Sequence, residues 1–104
     1  MPPLTALQFA VLERLCSSEK SGLVLREYLH SIGGKSSLPA FYQLMRRLEE
    51  WESVTSRSET IRTEGRTINK KIYSITENGK LVVSETREFY TRNSAALGTM
   101  LSFT

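Results

Sequence analysis

Apolar positions recur at helical spacing through the first half of the chain and then give way to alternation. Leu7, Val11 and Leu15, flanked by Phe9, Leu12 and Cys16, predict a helix that starts at about residue 5 and fades at Ser17-Ser18. Thr5 with Gln8 three positions on forms a capping-box pattern, and Leu4 and Phe9 are spaced to staple across it. This helix is apolar over more than half its circumference, which predicts burial on two sides. Ser21 can cap a second helix through Leu23–His30, with Leu25, Tyr28, Leu29 and Ile32 as its inner stripe and Gly33-Gly34 as its stop. A third helix is predicted from about Ser37, with Pro39 tolerated in the first turn, where a missing N–H loses nothing. Phe41, Leu44, Met45 and Leu48 share one face of it. Pro39, Gln43, Arg46 and Glu50 share the other, with Ser36 and Arg47 beside them.

From Ser53 the helical signal stops. Residues 53–61 are rich in Ser and Thr, Gly65 marks a turn, and Thr67–Ile75 is β-branched and aromatic, so a two-stranded hairpin is predicted. Thr76 then caps a fourth helix through Leu81, Val82, Val83, Phe89 and Tyr90, with Glu77 suited to its positive end. Beyond Arg92 the chain turns to small residues and ends with Met100, Leu101 and Phe103. Three helices with short joins, then a hairpin, then a helix, predict an α+β, mainly α chain with the winged helix-turn-helix plan. No repeat or linker divides it, so residues 1–104 are expected to form one domain.

Composition narrows the class. The chain has 104 residues, 39% of them hydrophobic and 24% charged, ordinary for one small globular domain with one core. No apolar run approaches the roughly 20 residues of a membrane span. Met1-Pro2-Pro3-Leu4 has neither the charged nor the apolar region of a secretory signal, and Cys16 is the single cysteine. A reduced, cytoplasmic protein is the expectation, with Cys16 as a buried structural thiol rather than a redox sensor. Net charge is +3 and the pI about 9.2. Lys35 to Lys71 contains eight Lys or Arg and five Glu, so that window carries the whole excess and would attract polyanions.

Candidate chemistry is sparse. His30 is the single histidine, which leaves no histidine-based metal cluster or triad; a surface or helix-end role is expected of it. The carboxylates are scattered and no phosphate-binding glycine loop is present, so neither an enzyme, a metal site nor a cofactor is expected. Trp51 and Tyr28 are read as packing residues, with an effector pocket as the alternative.

Two segments together carry a resemblance. Phe41-Tyr42-Gln43-Leu44-Met45-Arg46-Arg47-Leu48-Glu49-Glu50 resembles the recognition helix of PadR-like winged-helix regulators. Lys70-Lys71-Ile72-Tyr73-Ser74-Ile75-Thr76-Glu77-Asn78-Gly79 resembles the same family's wing strand and exit, at matching spacing. The resemblance covers about residues 5–92. It implies a DNA-binding repressor that dimerises through its C-terminal helix, here within residues 77–104, and often through its first helix. Phe9, Leu12, Leu81, Val82, Phe89 and Tyr90 are then the expected dimer seam. The chain departs from the family pattern at Glu52, where a glycine usually ends the third helix, so the turn there is expected to be remodelled. It departs also at Ser53, at Ala40 in place of a hydroxyl residue, and at Ser21-Gly22-Leu23 in place of His-Gly-Tyr.

On this reading Gln43 can pair bidentately with adenine, and Arg46 and Arg47 can hold phosphate or read guanine. The bland alternatives are a solvated glutamine and pairing of either arginine with Glu50. Lys35, Ser36 and Ser37 lie at the third helix's N-terminus, which attracts anions, with simple capping as the leading expectation for Ser37. Tyr42 is expected in the core, either wholly or with its hydroxyl toward the DNA backbone, the wholly core role being the leading one. Arg62, Arg66, Asn69 and Lys70 lie at or near the wing tip, able to reach backbone or minor groove. A homodimer on a pseudo-palindromic operator is the leading expectation. The alternatives are a winged helix used as a protein-interaction module, suggested by the Glu49, Glu50, Glu52 run, and a sensor responding to a small-molecule effector.

Overall fold

The structure, a computed structural model, describes residues 4–93; the tail of residues 94–104, with Met100, Leu101 and Phe103, lies outside them. Four helices start where the hydroxyl residues predict. α1 (Ala6–Leu15) closes its capping box: Thr5 Oγ1 accepts from the Gln8 N–H at 3.2 Å and Gln8 Oε1 accepts from the Thr5 N–H at 2.9 Å. α2 (Gly22–Ser31), α3 (Leu38–Glu50) and α4 (Glu77–Arg92) are capped by Ser21, Ser37 and Thr76, whose hydroxyls accept from the N–H groups of Val24, Ala40 and Gly79. Each cap satisfies a donor that helix geometry leaves orphaned.

The sheet has three antiparallel strands rather than the predicted two, in the order β1-β3-β2. β2 (Val54–Thr63) and β3 (Arg66–Ile75) form the hairpin, and β1 (Lys20–Ser21) adds the pairs Lys20↔Tyr73 and Ser21↔Ile72 at its base. A two-residue strand is too short to show a period, which is why the sequence pattern concealed it.

The core gathers Val11, Leu12 and Leu15 from α1, Leu25 and Leu29 from α2, and Phe41, Met45 and Leu48 from α3, closed by Val54, Tyr73 and Val83. Three expectations are corrected here. Cys16 is exposed, because α1 stops at Leu15 and Cys16 is its C-cap rather than a core thiol. Ile32 is 51% exposed, because it caps α2 instead of extending its stripe. Tyr42 is 51% exposed and sits edge-on to Phe41, which takes the core position.

The turn after α3 is a correction of another kind. α2 ends with Gly33 at φ 87°; its neighbours close the turn through Gly33 N–H to His30 carbonyl and Gly34 N–H to Leu29 carbonyl. α3 ends in the same arrangement with Glu52 at φ 57°, Glu52 N–H donating to the Glu49 carbonyl at 2.9 Å and Ser53 N–H to the Leu48 carbonyl at 3.0 Å. The glycine-type turn is therefore kept, with the strain of a left-handed non-glycine residue, rather than remodelled.

α4 is tied to this turn by its first residues. The Thr76 N–H donates to the Ser53 carbonyl at 3.0 Å, Thr76 Oγ1 to the Glu52 carbonyl at 2.6 Å, and Asn78 Nδ2 to the Trp51 carbonyl at 3.2 Å. α4 also packs against α1, where Arg87 pairs with Glu13 at 3.2 Å.

Candidate nucleic-acid interface

α3 is two-faced. Phe41, Met45 and Leu48 anchor it in the core, while Gln43, Arg46, Arg47 and Glu50 are exposed on the outside. Ser37 performs the predicted capping, leaving Lys35 exposed beside the helix start. Ser36 is half-buried and its carbonyl faces His30 Nε2 at 3.3 Å, accepting when that nitrogen carries the proton. His30 thus ties the α2–α3 connector, a helix-end role.

The wing is long. Its ten cross-strand pairs run from Val54↔Ile75 to Thr63↔Arg66, and Thr55 to Lys71 are all exposed, so only the base is held by the core. At about 3.3 Å per residue the strands extend roughly 30 Å. The tip is a two-residue turn with Glu64 at φ 52° and Gly65 at φ 75°, both left-handed, which matches the twist of the strands.

Strand alternation divides the predicted wing residues between two faces. Arg62 and Asn69 share the face that carries Val54 and Tyr73 into the core at its base, whereas Arg66 and Lys70 lie on the other with Ile61 and Ile68. Asn69 is engaged across the strands, its Oδ1 accepting from Thr60 Oγ1 at 3.1 Å.

Most of the cations on this side of the molecule are without an ion pair. Among the described residues Lys35, Arg46, Arg47, Arg62, Arg66 and Lys70 form no salt bridge; the pairing of Arg46 or Arg47 with Glu50 is not made. Every cation of α4 is paired: Lys80 with Glu77, Arg87 with Glu13, Arg92 with Glu88. At the wing base Arg57 is committed to Glu19 at 2.7 Å and Glu59 at 3.3 Å. Arg14 on α1, Lys20 on β1 and Arg26 on α2 also lack a salt bridge, so six of the nine unpaired cations among the described residues lie at α3 and the outer wing.

Between these two elements runs a cleft lined by Ser21, Gly22, Leu23, Tyr42, Ile68, Asn69, Lys70 and Lys71. Lys71 was not among the residues singled out from the sequence. Its approach to α3, with Nζ 3.5 Å from Glu49 Oε1, is a tertiary fact. Below the cleft Tyr73 is 1% exposed, and burial first, with the Glu49 charge second and Tyr42 third, pushes its pKa up to about 12. Among the described residues no group of three His, Cys, Asp or Glu side chains is placed to hold a metal ion, and no helix is long and apolar enough to cross a membrane.

Whole-chain comparison places this geometry. A PadR family transcription regulator from Clostridium difficile matches with a TM-score of 0.79 at 13% identity, over 93% of this chain and 99% of that one. A PadR family transcriptional regulator from Eggerthella lenta matches with a TM-score of 0.70 at 26% identity, over 94% and 83%. The fold is the PadR-type winged helix. Bacillus subtilis PadR, solved in complex with operator DNA, matches with a TM-score of 0.66 at 24% identity, over 78% of this chain and 47% of that one. The sequence itself matches no protein-family model and no curated protein. The PadR-type likeness read from two short segments thus extends over the described fold.

The seam residues expected from the sequence lie on α4 and α1. Leu81 is 57% exposed and Phe89 53%; Phe9, Val82 and Tyr90 are half-buried, with Phe9 and Phe89 both edge-on to Tyr90 at 5.8 and 5.7 Å between ring centres. Leu12 departs from that expectation. It is fully buried in its own chain, facing the core rather than outward.

Proposed function

We propose that the protein is a DNA-binding transcriptional regulator, a cytoplasmic homodimer that represses by occupying a pseudo-palindromic operator. The observation that carries this reading is the exposure of Gln43 with the unpaired Arg46 and Arg47 on α3 and of the unpaired Arg62, Arg66 and Lys70 on the wing, on a scaffold whose solved neighbours are PadR regulators, one of them in complex with operator DNA. α3 would enter the major groove, with Gln43 reading a base edge and Arg46 and Arg47 on phosphate or guanine. Lys35, Ser36 and Ser37 would approach phosphate at the helix start. Arg62, Arg66, Asn69 and Lys70 would grip the flanking backbone, since a hairpin laid edge-on presents both faces. Tyr42 would reach the backbone from the cleft. Leu81, Phe89, Tyr90 and Phe9, with Val82, would form the two-fold seam, spacing the half-sites by about one helical turn.

A gel shift at graded salt on a pool of random duplexes, followed by selection and sequencing, tests this. The expected result is salt-dependent binding and an enriched two-fold symmetric sequence. No binding at low salt, or binding unchanged by charge reversal at Arg46 together with Lys70, would overturn it. Open clefts flank Tyr90, one lined by Leu4, Glu85, Thr86 and Phe89 and the other by Phe9, Glu13, Arg87 and Thr91. They support a small-molecule effector acting at the seam as a second layer of the same function.

A further inference from the structure

Glu49 is a carboxylate on α3, half-buried where its neighbour Glu50 is exposed. Its side chain is 29% exposed, and its Oε1 is shielded from solvent and accepts no hydrogen bond. The nearest cation is Lys71 of β3, with Nζ 3.5 Å from that oxygen. Lys71 Nζ also lies 5.5 Å from the centre of the Tyr73 ring, so the ammonium is held from two sides at the floor of the cleft. Lys70, the next residue along the strand, is exposed and unpaired.

We propose that Glu49 is a positioning residue that retains Lys71 in the cleft between α3 and the wing, so that the protein meets DNA with one phosphate-binding cation fewer than its basic face contains. The inference rests on the DNA-binding reading. Its physical basis is competition. A buried charged oxygen left without a partner is strongly unfavourable, so Lys71 cannot move to a phosphate without stranding Glu49. With the charge on Glu49 removed, only the Tyr73 ring still holds the ammonium, and the half-exposed Lys71 side chain can extend out of the cleft. The pair then limits affinity and also ties the wing base to α3, coupling the two DNA-contacting elements.

The test measures binding to a random-sequence duplex of roughly 30 base pairs, long enough for both half-sites, as a function of salt. For Glu49→Gln the plot of log affinity against log salt is expected to steepen by about 0.9, the value of one further neutralised phosphate, with several-fold tighter binding at low salt. Lys71→Met alone should leave the slope unchanged. In the Lys71→Met background Glu49→Gln should no longer steepen it, whereas a general field effect of Glu49 would persist there. Glu49→Ala provides a second charge-removing variant should Glu49→Gln unfold. A slope indifferent to Glu49 substitution, or steepened equally in both backgrounds, would overturn the inference while leaving DNA binding intact. An unmodified protein without salt-dependent binding would overturn the DNA-binding reading and the pair's role with it.

Discussion

The backbone carbonyl of Ser53 occupies the space where Gly79 would carry a Cβ. A side chain there would overlap that carbonyl and crowd Ile75 Cγ1. The absence of a side chain at Gly79 lets the first turn of α4 close on the end of α3, where the carbonyls of Trp51, Glu52 and Ser53 accept from Asn78 and Thr76. The joint sets the direction of α4, and so of the proposed dimer seam, relative to α3. Gly79→Ala should destabilise the domain by about 1–3 kcal/mol despite the better helix propensity of alanine. Urea unfolding measures this; an unchanged midpoint would mean that the joint opens without penalty.

At Glu52 the opposite substitution should help. A left-handed backbone favours glycine, and the turn is already of the glycine type. Glu52→Gly should raise stability by about 0.5–1 kcal/mol, less the entropy that glycine adds to the unfolded chain, while Glu52→Ala should not. Paired thermal melts of the two variants distinguish relief of backbone strain from simple loss of a charge.

The unpaired cations predict distinct binding phenotypes. Arg46→Ala, Arg47→Ala and Lys70→Ala should each flatten the salt dependence of DNA binding by up to about 0.9, the value of one phosphate left without its cation. Arg87→Ala and Arg92→Ala on α4, where both arginines are ion-paired within the chain, should leave it alone. Gln43→Ala should cost about 1–3 kcal/mol on the selected operator and relax the preference at one position, with little effect on random DNA. Titrations on selected and random duplexes separate the two classes.

Tyr73 predicts alkaline sensitivity. Its hydroxyl ionises at about 12 in the folded protein against 10.0 ordinarily, because burial and the neighbouring Glu49 charge disfavour the phenolate. The folded state therefore favours the neutral form. The associated stability is fully present below pH 10 and is lost as pH rises from about 10 toward 12, to the extent of roughly 2 kcal/mol. Tyr73→Phe should lose less stability than the unmodified protein over that interval. Denaturation midpoints at pH 9 and pH 11 give the comparison.

At the proposed seam, Leu81→Glu or Phe89→Glu should yield a folded monomer, since both side chains are more than half exposed in one chain. Leu12→Ala should instead destabilise the fold by about 2–5 kcal/mol through a core cavity. Sedimentation together with circular dichroism tells the two outcomes apart.

Local interactions were legible in the sequence because they act over three or four residues. Thr5, Ser21, Ser37 and Thr76 each cap the helix they precede, and the Phe41, Met45, Leu48 stripe is the buried face of α3. The turn at Gly65 follows from glycine's access to a left-handed backbone, and the strand from Thr67 to Ile75 from β-branching. Long-range geometry was not legible. β1 exists because Lys20 and Ser21 meet Ile72 and Tyr73 some fifty residues on, not through any propensity of its own. Glu52 accepts a left-handed backbone because the hydrogen bonds from Thr76 and Asn78 hold the turn from outside. The exposure of Cys16 and Tyr42 depends on where a helix stops and which aromatic ring reaches the core first. Lys71 became a candidate only when folding set it beside Glu49, because a charge's role depends on its neighbours in space and the sequence specifies only its neighbours along the chain.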